Sequence, residues 1–126
     1  MLFRSGGEGR DKLIGGRWAD DLDGGAGRDT LKGGGGADIL EGGAGRDRLI
    51  GGKGEDRFVF SPGDGVDKIV RFRPGADVID LTAFNAGFED VAIAATGYGA
   101  RAAVDDLEIR FLGVAAASID ADDFLF

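Results

Sequence analysis

The chain has 126 residues, of which 25 are Gly and none is Cys or His, and its formal net charge is −8. A disulfide framework, a zinc site built on Cys or His, and a Ser-His or Cys-His nucleophile pair are therefore excluded. The acidic balance disfavours nucleic acid as a partner, no apolar run approaches the ~18 residues of a membrane span, and the first ten residues lack the apolar region of a cleaved secretory signal.

Residues 1–5 are a short lead-in to a repeat that fills residues 6–59 without a gap. The repeat consists of six nonapeptides: GGEGRDKLI, GGRWADDLD, GGAGRDTLK, GGGGADILE, GGAGRDRLI and GGKGEDRFV. Every copy has Gly at positions 1 and 2, Asp at position 6 and a large apolar residue at position 8, and only Trp18 interrupts the Gly at position 4. A flexible linker has no reason to keep Asp and Leu in register, so the period predicts a solenoid.

Each copy joins a Gly-rich half that can turn sharply to a three-residue half that suits one short strand. Two copies therefore form one coil, and each copy stacks about 4.8 Å below the copy that follows two places later. The position-8 side chains are expected to form a thin core: Leu13, Leu22, Leu31, Leu40, Leu49 and Phe58. The predicted fold class is all-β, a parallel β-roll (a two-sided β-solenoid) with a C-terminal β capping segment.

Stacking brings the position-6 carboxylates into two rows. One row contains Asp11, Asp29 and Asp47, and the other contains Asp20, Asp38 and Asp56. Carboxylates this close repel one another unless a cation lies between them. Two carboxylates and several backbone carbonyls form an all-oxygen cage of about six ligands, which suits Ca²⁺ better than Mg²⁺ with its tighter octahedron.

The repeat resembles the RTX, or hemolysin-type, calcium-binding nonapeptide GGxGxDxUx, in which U is apolar and which forms a parallel β-roll. The resemblance implies that each ion lies between stacked loops. The earlier loop supplies its Asp and the carbonyls of positions 2 and 4, and the later loop supplies its Asp and the carbonyls of positions 1 and 3. It also implies Ca²⁺ as the cofactor, with about four to six ions bound between such loops.

Carried onto this chain, the resemblance implies a set of ligands on each edge. On one edge, Gly7, Gly9 and Asp11 join Gly24, Ala26 and Asp29, and then Gly25, Gly27 and Asp29 join Gly42, Ala44 and Asp47. On the other edge, Gly16, Trp18 and Asp20 join Gly33, Gly35 and Asp38, and then Gly34, Gly36 and Asp38 join Gly51, Lys53 and Asp56. Gly43, Gly45, Gly52 and Gly54 hold positions 2 and 4 of the last two copies and extend both sets. At position 4 Trp18 keeps a carbonyl but loses the conformational freedom of Gly.

Beyond residue 59 the pattern weakens but continues. The segment PGDGVDKIV (62–70) aligns as a seventh copy after a two-residue insertion, with Asp67 at position 6 and Ile69 at position 8. The next segment, RPGADVIDL (73–81), offers Asp77 and Asp80. These segments resemble the one that closes the roll in serralysin-type C-terminal domains. Asp67 and Asp77 are therefore expected to complete further calcium sites.

Residues 77–126 are interpreted as a β cap on the roll of residues 6–76. The segments 91–99 and 106–114 are predicted strands because they are rich in alternating and β-branched residues. A solenoid end needs such a cap because it exposes open strand edges. The last residues, FLGVAAASIDADDFLF, resemble the C-terminus of proteins exported by type I secretion, in which acidic residues precede a few apolar ones.

Folding of the roll is expected to depend on calcium. One buried apolar side chain per nonapeptide offsets little of the entropy lost when a Gly-rich chain is ordered. Several coupled calcium sites would supply the missing stability at extracellular calcium concentrations. The resemblance thus implies a secreted, non-catalytic module that folds on Ca²⁺ outside the cell, with the type I secretion machinery as partner. It would serve as the C-terminal secretion and folding domain of its protein.

Other functions remain open at this stage. Arg10, Arg28 and Arg46 recur at position 5 of alternate copies and form a basic row, which suits an acidic polysaccharide. The alternative function is thus a calcium-dependent glycan-binding accessory module, similar to the repeat modules of alginate epimerases. An adhesin fragment is a further structural alternative. Catalysis is not expected, because no acidic residue outside the repeat falls in a recognisable catalytic constellation.

Overall fold

The computed structural model describes residues 2–126, which form short strands joined by tight turns. The strands are β1 (Leu2–Ser5), β2 (Glu8–Gly9), β3 (Lys12–Ile14), β4 (Asp20–Asp23), β5 (Ala26–Gly27), β6 (Thr30–Gly34), β7 (Ile39–Glu41), β8 (Arg48–Gly52), β9 (Arg57–Val59), β10 (Val66–Val70), β11 (Val78–Asp80), β12 (Ala92–Thr96), β13 (Gly99–Val104), β14 (Leu107–Leu112) and β15 (Phe124–Leu125). Single 3-10 turns occur at Phe88–Asp90, Ala116–Ser118 and Ala121–Asp123. Within the described residues, none of the helical segments has the length and apolar character needed to cross a bilayer.

Successive copies of the repeat place their strands alternately in two facing sheets. The six-stranded sheet has the order β1-β4-β7-β9-β11-β15, and the seven-stranded sheet has the order β12-β13-β14-β10-β8-β6-β3. Repeat strands pair in parallel with a shift of two copies, so that Leu22 lies opposite Leu40 and Leu31 lies opposite Leu49. The predicted β-roll is confirmed, because a period of nine with one strand per copy returns to the same sheet at every second copy.

The position-8 side chains form the core between the sheets, as predicted. Leu13 is 9% exposed, whereas Leu22, Leu31, Leu40, Leu49 and Phe58 have no exposed surface. In a strand of three residues only the middle side chain points to one face. The flanking positions 7 and 9 therefore point outward, and this arrangement keeps the charged residues of each copy out of the core.

The roll extends beyond the six perfect copies at both ends. β10 places Ile69 opposite Leu49, in agreement with the alignment of 62–70 as a seventh copy. β11 then places Ile79 opposite Phe58 in the other sheet. At the N-terminal end β1 pairs with β4, so residues 2–5 add one strand to the six-stranded sheet.

The cap continues the seven-stranded sheet with antiparallel strands. β14 lies parallel to β10, with Phe111 opposite Ile69, and β13 and β12 follow as hairpins. The predicted strand over 91–99 is shorter than expected, since the chain turns after Thr96 and returns as β13. Sequence patterns did not reveal β13, because the small residues of GARAAV have little β-propensity. Phe72 joins roll and cap, with its ring centroid 6.1 Å from Phe58 and 5.1 Å from Phe111.

Candidate metal centre

The Gly-rich loops stack with their carbonyl groups directed along the solenoid axis. Gly25 and Gly27, at positions 2 and 4, have φ values of +84° and +117°. A Cβ atom at either residue would collide with the carbonyl oxygen of Gly7 or Gly9 in the loop below. Gly is therefore required here twice over, for the left-handed backbone and for the close approach of a carbonyl oxygen.

Hydrogen bonds between main chains hold neighbouring loops of the stack together. The Ala26 N–H donates to the Gly7 carbonyl at 3.0 Å, and the Gly27 N–H donates to the Ala44 carbonyl at 2.9 Å. Gly7, Ala26 and Ala44 all belong to the predicted ligand set. The structure thus brings the carbonyl groups that are predicted calcium ligands in successive loops next to one another.

The position-6 aspartates form two rows, one on each edge of the roll. In every row the backbone N–H of one Asp donates to Oδ1 of the next Asp. The odd edge contains Asp11, Asp29, Asp47 and Asp67, joined by hydrogen bonds of 2.8 Å. The even edge contains Asp20, Asp38, Asp56 and Asp77, joined by hydrogen bonds of 2.8, 3.0 and 3.0 Å. We call each pair of neighbouring aspartates in a row a rung.

The second carboxylate oxygen of most of these residues is buried without a hydrogen-bond partner in the described part of the chain. This holds for Oδ2 of Asp11, Asp29, Asp38, Asp47, Asp56 and Asp67. Burying an ionised oxygen without a compensating donor is costly. The orphaned oxygens therefore indicate positions at which a cation would satisfy the carboxylates.

On the odd edge, a backbone carbonyl oxygen lies close to the unpartnered Oδ2 atoms of Asp11 and Asp29. A Cβ atom built on Gly24 would lie 2.7 Å from Asp29 Oδ2 and 2.7 Å from the Gly42 carbonyl oxygen. Gly6 stands in the same relation to Asp11 Oδ2 and the Gly24 carbonyl oxygen, at 2.7 and 2.8 Å. Position-1 Gly thus leaves open a space where hard oxygen ligands converge, and Ca²⁺ is a cation that prefers such ligands.

The electrostatics of the rows also favour a bound cation. Burial, opposed by the backbone hydrogen bond and reinforced by neighbouring carboxylates, raises the pKa of Asp38 to about 6 and that of Asp47 to about 7. Burial likewise raises the pKa of Asp56 to about 7 and that of Asp67 to about 8. Protein groups alone therefore hold these carboxyls partly protonated near neutral pH. A divalent ion between them would favour the ionised form.

The loop of the second copy departs from the regular geometry, and so does Asp80, which is not among the predicted ligands. In the second copy neither Gly16 nor Trp18 has a left-handed φ, and the Trp18 side chain is 75% exposed. Asp80 does not join either row. Its carboxylate accepts hydrogen bonds from Thr82 and Arg57, which lower its pKa although burial opposes the shift.

The seven-stranded sheet has a basic outer face, of which the sequence predicts only the position-5 row. Position-7 residues form an outward row across neighbouring strands, which two arginines of the cap continue: Lys12, Thr30, Arg48 and Lys68, followed by Arg110 and Arg101. Beside it runs the position-5 row of Arg10, Arg28 and Arg46, and a groove of about 460 Å³ lies between the two. Strand register, which places position 7 of alternate copies side by side, was the signal that could have revealed the second row.

Comparison with protein families gives a match to one family over just over half of the chain. The family is described as the RTX calcium-binding nonapeptide repeat (4 copies), and it matches residues 5–31 and 32–69. A comparison with curated protein sequences finds no significant match.

Three solved structures, two of them from one enzyme, are similar to this chain. The AlgE6R3 subunit of the Azotobacter vinelandii mannuronan C5-epimerase is 34% identical over 96% of this chain and 80% of its own, with a TM-score of 0.77. The AlgE6R2 subunit of that epimerase is 31% identical over 90% of this chain and 91% of its own, with a TM-score of 0.64. The extracellular lipase LipA from Serratia marcescens is 26% identical over 98% of this chain, with a TM-score of 0.78, and this chain spans 20% of the lipase.

Proposed function

The chain belongs to the family of RTX calcium-binding nonapeptide repeat proteins, and from this premise we propose that calcium binding outside the cell drives the folding of its roll. The observation that carries the proposal is the set of buried, unpartnered Oδ2 atoms in the two rows of aspartates. In the absence of a cation these groups oppose the stacking that the core and the strands favour.

The residues proposed to hold the ions are those of the two edges. On each rung, two position-6 carboxylates would bind together with the carbonyls of positions 2 and 4 below and positions 1 and 3 above. Asp67 and Asp77 would close the odd and even edges. When bound, Ca²⁺ supplies the positive charge and the oxygen coordination that the loops lack. The loops themselves orient the carbonyls, and the Gly residues keep the space between them open.

Dependence of folding on calcium follows from mass action. A ligand that binds only the folded chain stabilises it by RT ln(1 + [L]/Kd), about 1 kcal/mol per site when millimolar calcium meets a Kd of 10⁻⁴–10⁻³ M. Several sites in one roll act together because each loop contributes to the site above and to the site below. At the submicromolar calcium of a cytoplasm the sites would be empty and the roll unfolded.

A role in type I secretion is the finer part of the proposal. An unfolded roll inside the cell is suited to passage through a secretion channel, and folding outside would prevent return. The similarity to the extracellular lipase, of which a segment of this length is about a fifth, supports this role. In this proposal residues 6–76 are the calcium-binding roll, and residues 77–126 are a cap that ends in the acidic and apolar secretion signal.

Circular dichroism during a calcium titration tests the folding proposal. We expect strand content to rise cooperatively between about 0.1 and a few millimolar calcium, since extracellular modules bind in this range. Magnesium at the same concentration should produce much less structure. Equal strand content in chelator and in calcium would contradict the proposal.

Binding of an acidic glycan is a second candidate function, and the basic outer face favours it. Arg28, Arg46 and Arg48 line the groove of about 460 Å³. Among residues 2–126, none of these three cations is engaged in an ion pair. Like charges on neighbouring strands destabilise a sheet unless an anion lies against them. The similarity to subunits of an enzyme named for mannuronan points to a polyuronate as the anion.

Calorimetry with oligomannuronate in the presence of calcium tests this second function. We expect Arg46→Ala with Arg48→Ala to weaken binding at least tenfold and to reduce its salt dependence. Arg17→Ala, in an even-edge loop, is the matched control and should bind like the parent chain. Absence of binding to the folded parent chain would remove the glycan function and leave the calcium function intact.

A further inference from the structure

The two edges of the roll are not equivalent, although the repeat gives both the same aspartates. On the odd edge all four loops have a left-handed Gly at positions 2 and 4: Gly7, Gly9, Gly25, Gly27, Gly43, Gly45, Gly63 and Gly65. On the even edge only the two middle loops share this conformation, with Gly34, Gly36, Gly52 and Gly54. The first and last loops of the even edge differ at position 2.

Position 2 of these two loops turns its N–H toward the carboxylate of its own loop. The Gly16 N–H donates to Asp20 Oδ2 at 2.6 Å, and the Arg73 N–H donates to Asp77 Oδ2 at 2.9 Å. Neither Gly16 nor Arg73 has a positive φ. Where position 2 is left-handed, in contrast, Oδ2 of the position-6 Asp has no hydrogen-bond partner among the described residues. The conformation of position 2 therefore decides whether Oδ2 is available to an ion.

The Asp56–Asp77 rung contains a second obstacle to an ion. The guanidinium of Arg73 lies 3.4 Å from Asp77 Oδ1. Asp77 thus receives a backbone N–H on each oxygen and a permanent positive charge beside them. A divalent ion at this rung would have to displace a donor and approach a cation.

We infer that the chain binds four calcium ions strongly, three on the odd edge and one on the even edge. The strong rungs are Asp11–Asp29, Asp29–Asp47, Asp47–Asp67 and Asp38–Asp56, in which both carboxylates keep an open Oδ2. The Asp20–Asp38 and Asp56–Asp77 rungs each contain one carboxylate that the protein already satisfies. All six loops with an open Oδ2 also have a left-handed Gly at position 4, a conformation that a non-Gly residue such as Trp18 disfavours. Trp18 at position 4 and Arg73 at position 2 are accordingly the residues that limit the number of ions, and this inference rests on the calcium-binding function proposed above.

Native mass spectrometry of the full chain at about 1 mM free calcium, a concentration at which the roll is expected to be folded, measures the number of bound ions directly. We expect four ions on the parent chain, five on Trp18→Gly, five on Arg73→Gly and six on the double variant. Arg17→Gly is the matched control: it adds Gly to the same loop as Trp18→Gly but one position earlier, and it should bind four.

The outcomes separate this inference from the proposed function. Six ions on the parent chain would show that the two closed rungs open for calcium, which overturns the inference while calcium binding stands. No gain in Trp18→Gly, whose loop lies at the opposite end of the roll from Arg73, would also overturn it, even if Arg73→Gly failed to fold. No bound ion on the parent chain would instead contradict the calcium function itself.

Discussion

The roll and the cap of this molecule are stabilised in different ways. The roll buries one large side chain per nonapeptide together with carboxylates whose Oδ2 atoms lack a hydrogen-bond donor among the described residues, whereas the cap buries a dense set of apolar residues. Ala100, Val104, Leu107, Ile109 and Phe111 are all at most 4% exposed. The cap is also antiparallel and local in sequence, while the roll closes only through contacts between copies. From this comparison we expect the same sheet to depend on a cation at one end and not at the other.

The junction between the two regions lies at the pairing of β10 with β14. Asp67 and Ile69 of β10 face Ile109 and Phe111 of β14, so a buried carboxylate and a buried apolar row run side by side. Phe72 packs against rings from both regions. We therefore expect a folded cap to present a strand edge and an apolar surface on which the last coil of the roll orders when calcium binds.

Removal of calcium is expected to have the largest effect, and it should separate the two regions. In chelator, amide hydrogen exchange should become fast throughout β3–β9, because the unpartnered carboxylates no longer allow the loops to stack. Protection in β13 and β14 should persist in part, since the side chains that these strands bury are apolar: Ala100, Ala102, Val104, Leu107, Ile109 and Phe111. Uniform loss of protection in both regions, or none in either, would contradict the division. Magnesium in place of calcium is the control and should not restore protection to the roll.

A cavity in the cap should destabilise the protein whether or not calcium is abundant. Phe111 has no exposed surface, so Phe111→Ala is expected to cost about 3–5 kcal/mol of unfolding free energy at any calcium concentration. Asp29→Asn is the contrasting variant, because Asp29 belongs to two rungs of the odd edge. Its cost should be about 1–3 kcal/mol in millimolar calcium and should vanish in chelator. Urea unfolding at two calcium concentrations measures both, and an equal calcium dependence of the two variants would refute the distinction.

Glycine should be indispensable in the stacked loops of the roll but replaceable at Gly97, in the turn between β12 and β13 of the cap. Gly27→Ala places a methyl group against the Gly9 carbonyl oxygen at a φ of +117°, so we expect a loss of at least about 1–2 kcal/mol and a weaker response to calcium. Gly97→Ala is the matched control, because no atom lies within 4 Å of the added methyl group and φ is not left-handed. Its stability should stay within about 0.5 kcal/mol of the parent. Thermal unfolding in calcium distinguishes the two, and equal effects would mean that the loops can relax around a side chain.

The sequence predicted the roll well and the cap poorly for a physical reason. Every copy of the repeat has the same local structure, so the roles of Leu31 and Asp29 are recognisable from the repeat period alone. Stacking by two copies follows from the strand length. The structure of the cap and the role of Asp80 depend on features that do not repeat along the chain. β13 is made of small residues, and Asp80 was grouped with Asp77 because nothing local shows that Arg57, far earlier in the chain, neutralises it.

The ligand positions were predicted in the same way, from copy to copy, and this explains what the sequence missed at the site. Gly16 looks identical to the other position-2 glycines, yet its φ and its hydrogen bond to Asp20 differ from theirs. Trp18 at position 4 was the only local sign of that difference. The position-7 cations belong to separate copies, so they become a basic face only when the register of β6, β8 and β10 is known.

The effect of pH on the stability of the calcium-free roll should be smaller than the effects described above. The sign of this effect distinguishes the roll from the cap. The raised pKa values of Asp38, Asp47, Asp56 and Asp67, from about 6 to about 8, mean that the folded roll binds more protons than the unfolded chain between pH 4 and 8. Without calcium its stability should therefore increase as the pH falls from 8 to 5 and be lost as the pH rises through these values. In calcium the sign should reverse, because protons then compete with the ion.

Circular dichroism of chelator-stripped protein in calcium-free buffers at pH 5 and pH 8 measures the effect. Asp67→Asn should reduce the effect, because it removes the carboxyl with the highest of these pKa values. A calcium-free roll that gains structure as the pH rises would mean that some partner other than a cation or a proton already satisfies the buried carboxylates.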